Sequence, residues 1–526
     1  MLSHDSERRP PVSSNQTRTG HVLLDDLEAR RSGTETVKKT ATGLVDELSE
    51  VEASKGWFAA FVKCSSGAGT EERGIERVKE ENRAKQSVMD GFTMWASANL
   101  TPVTLAAGTL GPGFGLGFWD TFAVIVVVNF FIAAVVGYFG CFGPATGLRM
   151  LSVARFTFGV WGTRALLVLS TCGVMGWASV NSIAGALILT ELSDGRCPLW
   201  AGNLIIGVCT AIISFFGYFA IHWFERICWV PMVVVFIFLA AYGSEHFDAA
   251  ALPAQPGPSQ AAGVMSFIAV TFGFIAGWAS MAADYHVRMP VNTNKFKLTA
   301  SIWAGNFIGI VIPELLGAAL MTAVAKDPGF ADAFRDHGIG GLMGQTLQPL
   351  GGFGKFLLAL AALSIIGCNL ANNYSLAFEF QNFHPLLLKV PRPVYSVLGS
   401  AAIIAIAIAA ENSFVEVLIS FLSVTSYYTT PFICCVLVDF LYFRKGKYPL
   451  ESWNDTNKLP YGIAGFAAIA LAFVGAVLSM NQTWLVGVIA RASGPAGAEL
   501  GWIFSGIFSV LAYVPLRHLE LRYTGR

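Results

Sequence analysis

The feature that most restricts this chain is a succession of apolar segments that begins at residue 92 and continues almost to the C-terminus. Each is close to the roughly 20 residues that an α-helix needs to cross a bilayer. Because lipid offers no partner for backbone polar groups, the pattern predicts an all-α polytopic membrane protein with about 12 transmembrane helices, or 11 if the short fifth segment does not cross. The segments are 92–111, 118–139, 161–190, 199–221, 228–243, 263–286, 298–324, 354–379, 393–410, 414–442, 461–480 and 499–515.

Composition excludes several classes of protein. Of 526 residues, 54% are hydrophobic and only 13% are charged, whereas soluble proteins carry about 25% charged residues. Nucleic-acid binders, disordered scaffolds and typical soluble enzymes are therefore excluded. The motifs HExxH and GxSxG and a nucleotide-binding loop are missing from the sequence, so we expect no enzyme activity. The nine cysteines show no paired spacing, and we expect no metal site, no cofactor and no obligate protein partner.

The chain divides into three parts. Residues 1–88 are polar and rich in Ser and Thr, which predicts a cytosolic, largely disordered N-terminal tail. Residues 89–515 form the predicted transmembrane transporter domain of 12 spans, and residues 516–526 form a cytosolic C-terminal tail. With the N-terminus inside, 30 Lys and Arg residues fall on inner segments and 5 on outer ones, or 16 against 5 without the tail. This asymmetry predicts that both termini are cytosolic, in what we expect to be the plasma membrane.

Polar groups within apolar segments are candidate functional residues, because burying them in lipid is costly. Residues 95–102 (WASANLTP) place Pro102 inside the first segment, and glycines interrupt the sixth at residues 273–278 (GFIAGW). Proline removes a backbone hydrogen bond and breaks or kinks a helix. Two interrupted helices five segments apart indicate a five-plus-five inverted repeat with a site between them.

Tryptophan and amide side chains recur at helical spacing. Trp177 and Asn181 are four residues apart in the third segment, and Asn369, Asn372 and Asn373 form a stripe in the eighth. Residues four apart share a helix face. An indole offers a flat π face and an amide offers both donors and acceptors, which together suit a planar heterocycle. The alternative is a purely structural role, in which these amides only form hydrogen bonds between helices.

At these residues the sequence resembles the purine-cytosine permease branch of the nucleobase–cation symporter family, fungal type. The resemblance covers roughly residues 71–526. It lies in residues 71–78 (EERGIERV), 95–100 (WASANL), 108–111 (GTLG), 146–149 (TGLR), 155–159 (RFTFG), 277–285 (GWASMAADY) and 372–375 (NNYS).

The resemblance implies a leucine-transporter-like core of ten helices plus two more. It also implies uptake of a small heterocyclic substrate coupled to a cation, which for fungal members is usually H+. The family's substrate-binding residues correspond to Ser97, Trp177, Asn181, Trp278 and Asn372. We add Asn369, from the amide stripe, to this set of candidates.

One departure from the family pattern leaves the substrate open. Purine-transporting members commonly read Asn-Asn-x-Pro-Asn in the eighth helix, whereas this chain has Cys368 and Ala371 at the first and fourth positions. The leading hypothesis is uptake of a purine- or cytosine-like base. The alternative keeps the fold and changes the substrate to a vitamin-like compound, or to a fungal secondary metabolite or its precursor.

Two further sets of residues are candidates for other roles. Glu314 and Glu379 lie within apolar segments, and a carboxyl group there is suited to carry a coupled proton. Asp120, Asp284 and Asp439 lie near segment ends, where structural roles are expected. Asn481 begins the sequence Asn-Gln-Thr in the last outer loop, which makes it a candidate for N-glycosylation.

Overall fold

A computed structural model describes residues 77–526, apart from 84–86, 216–217, 255, 385–386, 388–389, 391 and 495–496. Most of the predicted N-terminal tail, 1–88, therefore lies outside the described residues. The helices of the first half are α1 (Val88–Asn99), α2 (Pro102–Gly108), α3 (Phe118–Gly140), α4 (Phe142–Thr146), α5 (Met150–Leu192), α6 (Leu199–Phe215), α7 (Tyr218–Gly243) and α8 (Pro258–Ala276).

The second half continues the same helical pattern. Its helices are α9 (Lys295–Lys326), α10 (Pro328–Leu347), α11 (Gly352–Phe383), α12 (Arg392–Ala410), α13 (Phe414–Val438), α14 (Ile463–Ser479), α15 (Val488–Ala492) and α16 (Gly501–Thr524). Two short antiparallel strands, β1 (Asn481–Gln482) and β2 (Leu485–Val486), form a hairpin after α14. Glycosylation of Asn481, in β1, stays a prediction.

Within the described residues, eight helices are long and apolar enough to cross a membrane. The apolar helices Leu199–Ser214 and Ile463–Ser479 are shorter than that criterion requires, and the stretch Val394–Phe443 counts once although it contains both α12 and α13. The multi-pass helical class is thus confirmed. The exact number of 12 stays a prediction.

The predicted interruptions of the first and sixth segments are present. α1 ends at Asn99 and α2 begins at Pro102, with Thr101 in extended conformation between them. The Thr101 hydroxyl accepts a hydrogen bond from the backbone N–H of Thr104, which caps the start of α2. The sixth segment changes from the α-helix α8 to a 3-10 turn at Gly277–Ser280 and continues as irregular chain.

The helices pack in two groups. α9 packs against α1, α2 and α3, and α3 also contacts α8; we call these helices the bundle. α5 packs against α6, α11 and α12, and α6 contacts α12; we call these helices the scaffold. The helices α13, α14 and α16 pack on one another, and α13 also contacts α8.

Glycines allow unusually close packing inside the bundle. A methyl group at Gly317 of α9 would overlap the carbonyl oxygen of Leu105 in α2, and one at Gly108 would overlap the backbone of Glu314. Small residues let membrane helices approach until their backbones touch. The broken first helix is therefore held against α9 along its length.

At one end of the molecule, exposed ion pairs join the helix termini. Nζ of Lys355 lies 2.7 Å from a carboxylate oxygen of Asp194, and Nζ of Lys326 lies 3.2 Å from one of Asp248. The hydrogen bond from each lysine holds the pKa of its carboxyl partner below the usual value. All four residues belong to segments that the charge pattern assigns to the outer side.

Candidate functional site

A cavity of about 440 Å³ lies between the bundle and the scaffold. The broken first helix, α8 and the chain after it line one side, and α5 and α11 line the other. The bundle side contributes Ala98, Asn99, Thr101, Val103, Thr104, Phe274, Gly277, Trp278 and Met281, and the scaffold side contributes Trp177, Asn181, Cys368 and Asn372.

Four of the six residues proposed for substrate binding line this cavity: Trp177, Asn181, Trp278 and Asn372. Two come from the pair on α5, one from the interrupted sixth segment and one from the amide stripe on α11. The helices that carry them are far apart in the sequence, so only the tertiary fold brings these side chains together. The cavity presents the two indole rings and the two amides named among the candidates, and a third amide, that of Asn99.

Trp177 is fixed by aromatic neighbours. Its ring lies edge-on to Phe274 of α8 and Phe421 of α13, with ring centroids 5.1 and 5.2 Å apart. Edge-to-face pairs of this kind contribute about 0.5–1.5 kcal/mol beyond the burial of area. The contacts hold the indole at the boundary between scaffold and bundle.

Asn369 does not line this cavity but lies behind Asn181. Nδ2 of Asn181 donates to Oδ1 of Asn369 at 3.0 Å, and Nδ2 of Asn369 donates to the carbonyl oxygen of Ala178 and to Oγ of Ser182. Because its amide group is occupied by α5, Asn369 is placed to orient Asn181. Its assignment to direct substrate contact does not match this geometry.

Ser97 lines a second cavity of about 500 Å³ beside the first. Met232 of α7, Tyr285 and Ala371 also line this space. The two cavities share Ala98, Thr101, Trp278 and Cys368. Ser97 is therefore adjacent to the proposed site without being part of the cavity that holds the two tryptophans.

The two glutamates proposed for proton coupling are buried in separate places. Oε2 of Glu314 in α9 accepts a hydrogen bond from Nδ2 of Asn129 in α3 at 2.7 Å, so this contact lies within the bundle. Glu379 in α11 accepts hydrogen bonds from Ser170 at 2.5 Å and Thr171 at 3.0 Å, both on α5 and within the scaffold. Neither glutamate lines the two cavities described here.

The aspartates near segment ends have structural partners. Oδ1 of Asp284 accepts a hydrogen bond from the backbone N–H of Met150 at 2.6 Å, and its Oδ2 lies 3.9 Å from Arg149. Since Asp284 follows the bundle helix α8 and Met150 begins α5, this carboxylate joins bundle to scaffold. Asp439 pairs with Arg444 at 2.5 Å.

The sequence does not predict several of the residues that line the cavity. Asn99, Phe274 and Met281 line the cavity, but no spacing in the sequence distinguishes them from packing residues. The signal for Asn99 is that it is a polar residue at the last position of α1, next to the break in the first segment. In the sequence, Cys368 stands out only as a departure from the family pattern.

Comparisons with known proteins agree with this architecture. Residues 77–504 match the model of the family described as permease for cytosine/purines, uracil, thiamine, allantoin. The chain is 35% identical over 475 residues to the purine-cytosine permease fcyB of Emericella nidulans, covering 89% of this chain and 92% of that protein. It is 34% identical over 534 residues to the purine-cytosine permease FCY2 of Saccharomyces cerevisiae, covering 99% and 98%.

A solved structure has the same fold. Mhp1, a nucleobase-cation-symport-1 family transporter in a closed conformation with bromovinylhydantoin bound, superposes with a TM-score of 0.63 at 14% identity. The match covers 86% of this chain and 96% of Mhp1. The predicted leucine-transporter-like fold class is thereby confirmed, and the predicted family resemblance is confirmed by the sequence matches.

Proposed function

Because this chain belongs to the family of permeases for cytosine/purines, uracil, thiamine and allantoin, we propose that it imports a planar, nucleobase-like heterocycle together with protons. The chain is a multi-pass membrane transporter and not an enzyme. The observation that carries the proposed substrate class is the cavity in which Trp177, Asn181, Trp278 and Asn372 meet. Two indoles offer stacking surfaces, and two amides offer donors and acceptors for the edge of a ring.

The site bridges the two helix groups, which suits alternating access. A ligand that touches Trp278 on the bundle and Asn181 on the scaffold gains its full contacts only when the groups are close together. Transporters of this architecture move one group against the other around a fixed site. Substrate binding therefore stabilises the closed arrangement, and separation of the groups on one side or the other releases it.

We propose Glu379 as the residue that carries the coupled proton, with Glu314 as the second candidate. Glu379 lies seven residues after Asn372 on α11, two helical turns along the same face and about 10 Å away. It also contacts α5, the helix that carries Trp177 and Asn181. A carboxyl group here is connected to both scaffold helices of the site, whereas Glu314 contacts α3 in the bundle.

Two classes of substrate are candidates. Cytosine and purines suit the amide-lined cavity, and the relatives named above are purine-cytosine permeases. The family description also includes thiamine, and Cys368 takes the place of a common asparagine at the cavity wall. This observation favours a vitamin-like heterocycle, or a secondary metabolite or its precursor, as the second candidate.

We further propose that the protein resides in the plasma membrane with both termini in the cytosol. The 30-to-5 distribution of Lys and Arg supports this orientation. A protease site or epitope placed at the N-terminus tests it. The tag should be protected in intact cells and cut after permeabilisation, and cleavage in intact cells would contradict the orientation.

Uptake in a host that lacks its own base permeases tests the proposed function. Labelled cytosine, adenine, hypoxanthine and thiamine are supplied singly, then in competition with one another and with an added protonophore. We expect saturable uptake of at least one planar heterocycle, which the protonophore abolishes. Failure of the whole panel, with the protein present at the cell surface, would contradict the proposed substrate class.

Matched variants test the coupling residue. Glu379→Gln removes the exchangeable proton and keeps the shape of the side chain, so accumulation against a gradient should be lost while exchange of substrate across the membrane persists. Glu314→Gln is the comparison variant and should retain accumulation. The reverse result would assign coupling to Glu314.

A further inference from the structure

Trp278 lines two neighbouring cavities. It lines the cavity that holds Trp177 and Asn181, and it also lines the neighbouring cavity that holds Ser97. Two contacts fix the ring. Nε1 of Trp278 donates a hydrogen bond to Oδ1 of Asn99 at 2.9 Å, and its ring meets Trp95 edge-on with centroids 5.3 Å apart.

Asn99 is in turn held by a second buried amide. Nδ2 of Asn99 donates to Oδ1 of Asn306 in α9 at 3.1 Å and to the backbone oxygen of Trp95 at 2.8 Å. Nδ2 of Asn306 donates to the backbone oxygen of Ile302 at 3.0 Å. Both amides are fully buried, with exposed fractions of 1% and 0%.

The two groups at the ends of this hydrogen-bonded chain, the carbonyl of Ile302 and the indole N–H of Trp278, fix which way each amide is oriented. The carbonyl of Ile302 can only accept, so the NH2 group of Asn306 faces it and the amide oxygen faces Asn99. The NH2 group of Asn99 must then face Asn306, which turns its oxygen toward the indole. Since the indole N–H can only donate, the arrangement satisfies every member.

Close packing of the α1 and α9 backbones fixes the distance between the amides of Asn99 and Asn306. A methyl group at Gly305 of α9 would overlap the carbonyl oxygen of Phe92 in α1, and one at Gly309 would press against Ala96. With the helices this close, α9 has no room to move toward Asn99 if the side chain of Asn306 is shortened. The hydrogen bond to Asn99 would be lost and not replaced.

We propose that Asn306 is a positioning residue: it lines neither cavity, yet through Asn99 it fixes the Trp278 ring, which lines both. This inference rests on the proposed function, because it assigns to Asn306 the control of substrate affinity at that same site. When Asn306 is truncated, the amide of Asn99 keeps only its hydrogen bond to the backbone oxygen of Trp95, so the acceptor of the indole N–H is held less firmly. The ring then spends part of its time out of the stacking position.

The first experiment compares Asn306→Ala with Asn203→Ala. Asn203 is a matched control, since it is a fully buried amide in α6 that donates to Glu411 at 3.0 Å and lines neither cavity. Loss of one hydrogen bond in the chain should raise the KM for uptake about threefold to tenfold in Asn306→Ala. The maximal rate per molecule at the surface should change less, and Asn203→Ala should leave KM unchanged. An unchanged KM in Asn306→Ala would overturn the inference.

A double-mutant cycle distinguishes positioning from general destabilisation. Phenylalanine has no side-chain N–H group that could donate a hydrogen bond to Asn99. In a Trp278→Phe background, the Asn306→Ala change should therefore have no further effect on KM. An equal rise of KM in both backgrounds would overturn the proposal. If the Asn306→Ala variant does not reach the membrane, the Asn306→Ser variant is used in its place. The serine side chain fills part of the space of the asparagine, but its hydroxyl is too short to reach Asn99.

A readout without substrate separates this inference from the proposed function. Cys368 lines both cavities, so a loosened Trp278 should increase its rate of alkylation by a small maleimide. The signal is the labelling lost on Cys368→Ala. Faster alkylation in Asn306→Ala than in Asn203→Ala supports the positioning role even if the unaltered chain transports none of the panel, whereas equal rates would overturn it.

Discussion

Asn372 and Asn373 are adjacent on α11 but face different neighbours. Asn372 lines the cavity between bundle and scaffold, whereas Nδ2 of Asn373 donates to Oγ of Ser400 on α12 at 2.9 Å. Successive positions on a helix differ by about 100° in direction, so two identical side chains point to the cavity proposed for the substrate and to a packing interface. The same substitution at the two positions therefore tests substrate binding at Asn372 and helix packing at Asn373.

Alanine substitution at these two positions should therefore have different effects. Asn372→Ala should raise the KM for uptake about tenfold to a hundredfold, since an unmade hydrogen bond in a buried site costs about 1–3 kcal/mol. Asn373→Ala should lower the amount of protein at the surface and leave KM within about twofold, because its lost partner is in α12. Kinetics normalised to surface protein measure both effects. Equal KM values for the two variants would place the site elsewhere.

The wall of the cavity at Cys368 should set substrate preference. Sγ of Cys368 lies 3.4 Å from Nδ2 of Asn181, and Ala371 lines the neighbouring cavity. Cys368→Asn adds an amide beside Asn181, and Ala371→Pro removes a backbone hydrogen bond and bends α11. The double variant should be inhibited more strongly by purines or cytosine in a competition panel. An unchanged order of inhibition would show that these positions do not determine selectivity.

The contact of Asp284 with the start of α5 should influence which side of the site opens. Asp284→Ala removes the acceptor for the backbone N–H of Met150 and the partner of Arg149, so the bundle and scaffold should separate more readily at that end. In inside-out vesicles, alkylation of Cys368 should become faster. Asp120, which accepts from Gln260 at 3.0 Å within the bundle, provides the control variant Asp120→Ala. Equal alkylation in both variants would exclude Asp284 from gating.

Deletion of residues 1–65 should leave KM and the rate per molecule unchanged, although abundance can change. Among the described residues before α1, Arg77 donates from Nε to the carbonyl oxygen of Thr146 at 2.8 Å, and Arg83 donates to the carbonyl oxygen of Pro144 at 2.5 Å. Arg83→Ala is the informative comparison and should lower the transport rate. A large loss of rate per molecule on deletion would mean that the tail takes part in transport.

Much of the candidate site can be predicted from local patterns in the sequence. Pro102 breaks the first helix as its chemistry requires, and the four-residue spacing of Trp177 and Asn181 puts both on one face. Periodicity gives the face of a helix but not the identity of what it faces. Asn369 shares the stripe with Asn372, yet its amide meets α5 and not the cavity. Only the packing of α11 against α5 decides between them.

The residues that hold the cavity-lining side chains from behind could not be predicted from the sequence. Asn306 is a single amide in an apolar helix, and such a residue most often joins neighbouring helices. Its connection to Trp278 passes through Asn99, 207 positions away in the sequence. His286, which accepts a hydrogen bond from Trp95 at 3.0 Å, is 191 positions away from its partner. Contacts of this separation depend on the tertiary fold and leave no local signal.

Substrate protection of Cys368 tests the central claim most directly, because that thiol lines the cavity in which we place the ligand. Membranes are treated with a small maleimide in the presence of increasing amounts of a transported base, and labelling of Cys368→Ala is subtracted. The account predicts that the base slows alkylation of Cys368, with half-protection at a concentration near its KM. Alkylation at the same rate with saturating base and without it would show that the substrate does not bind in this cavity.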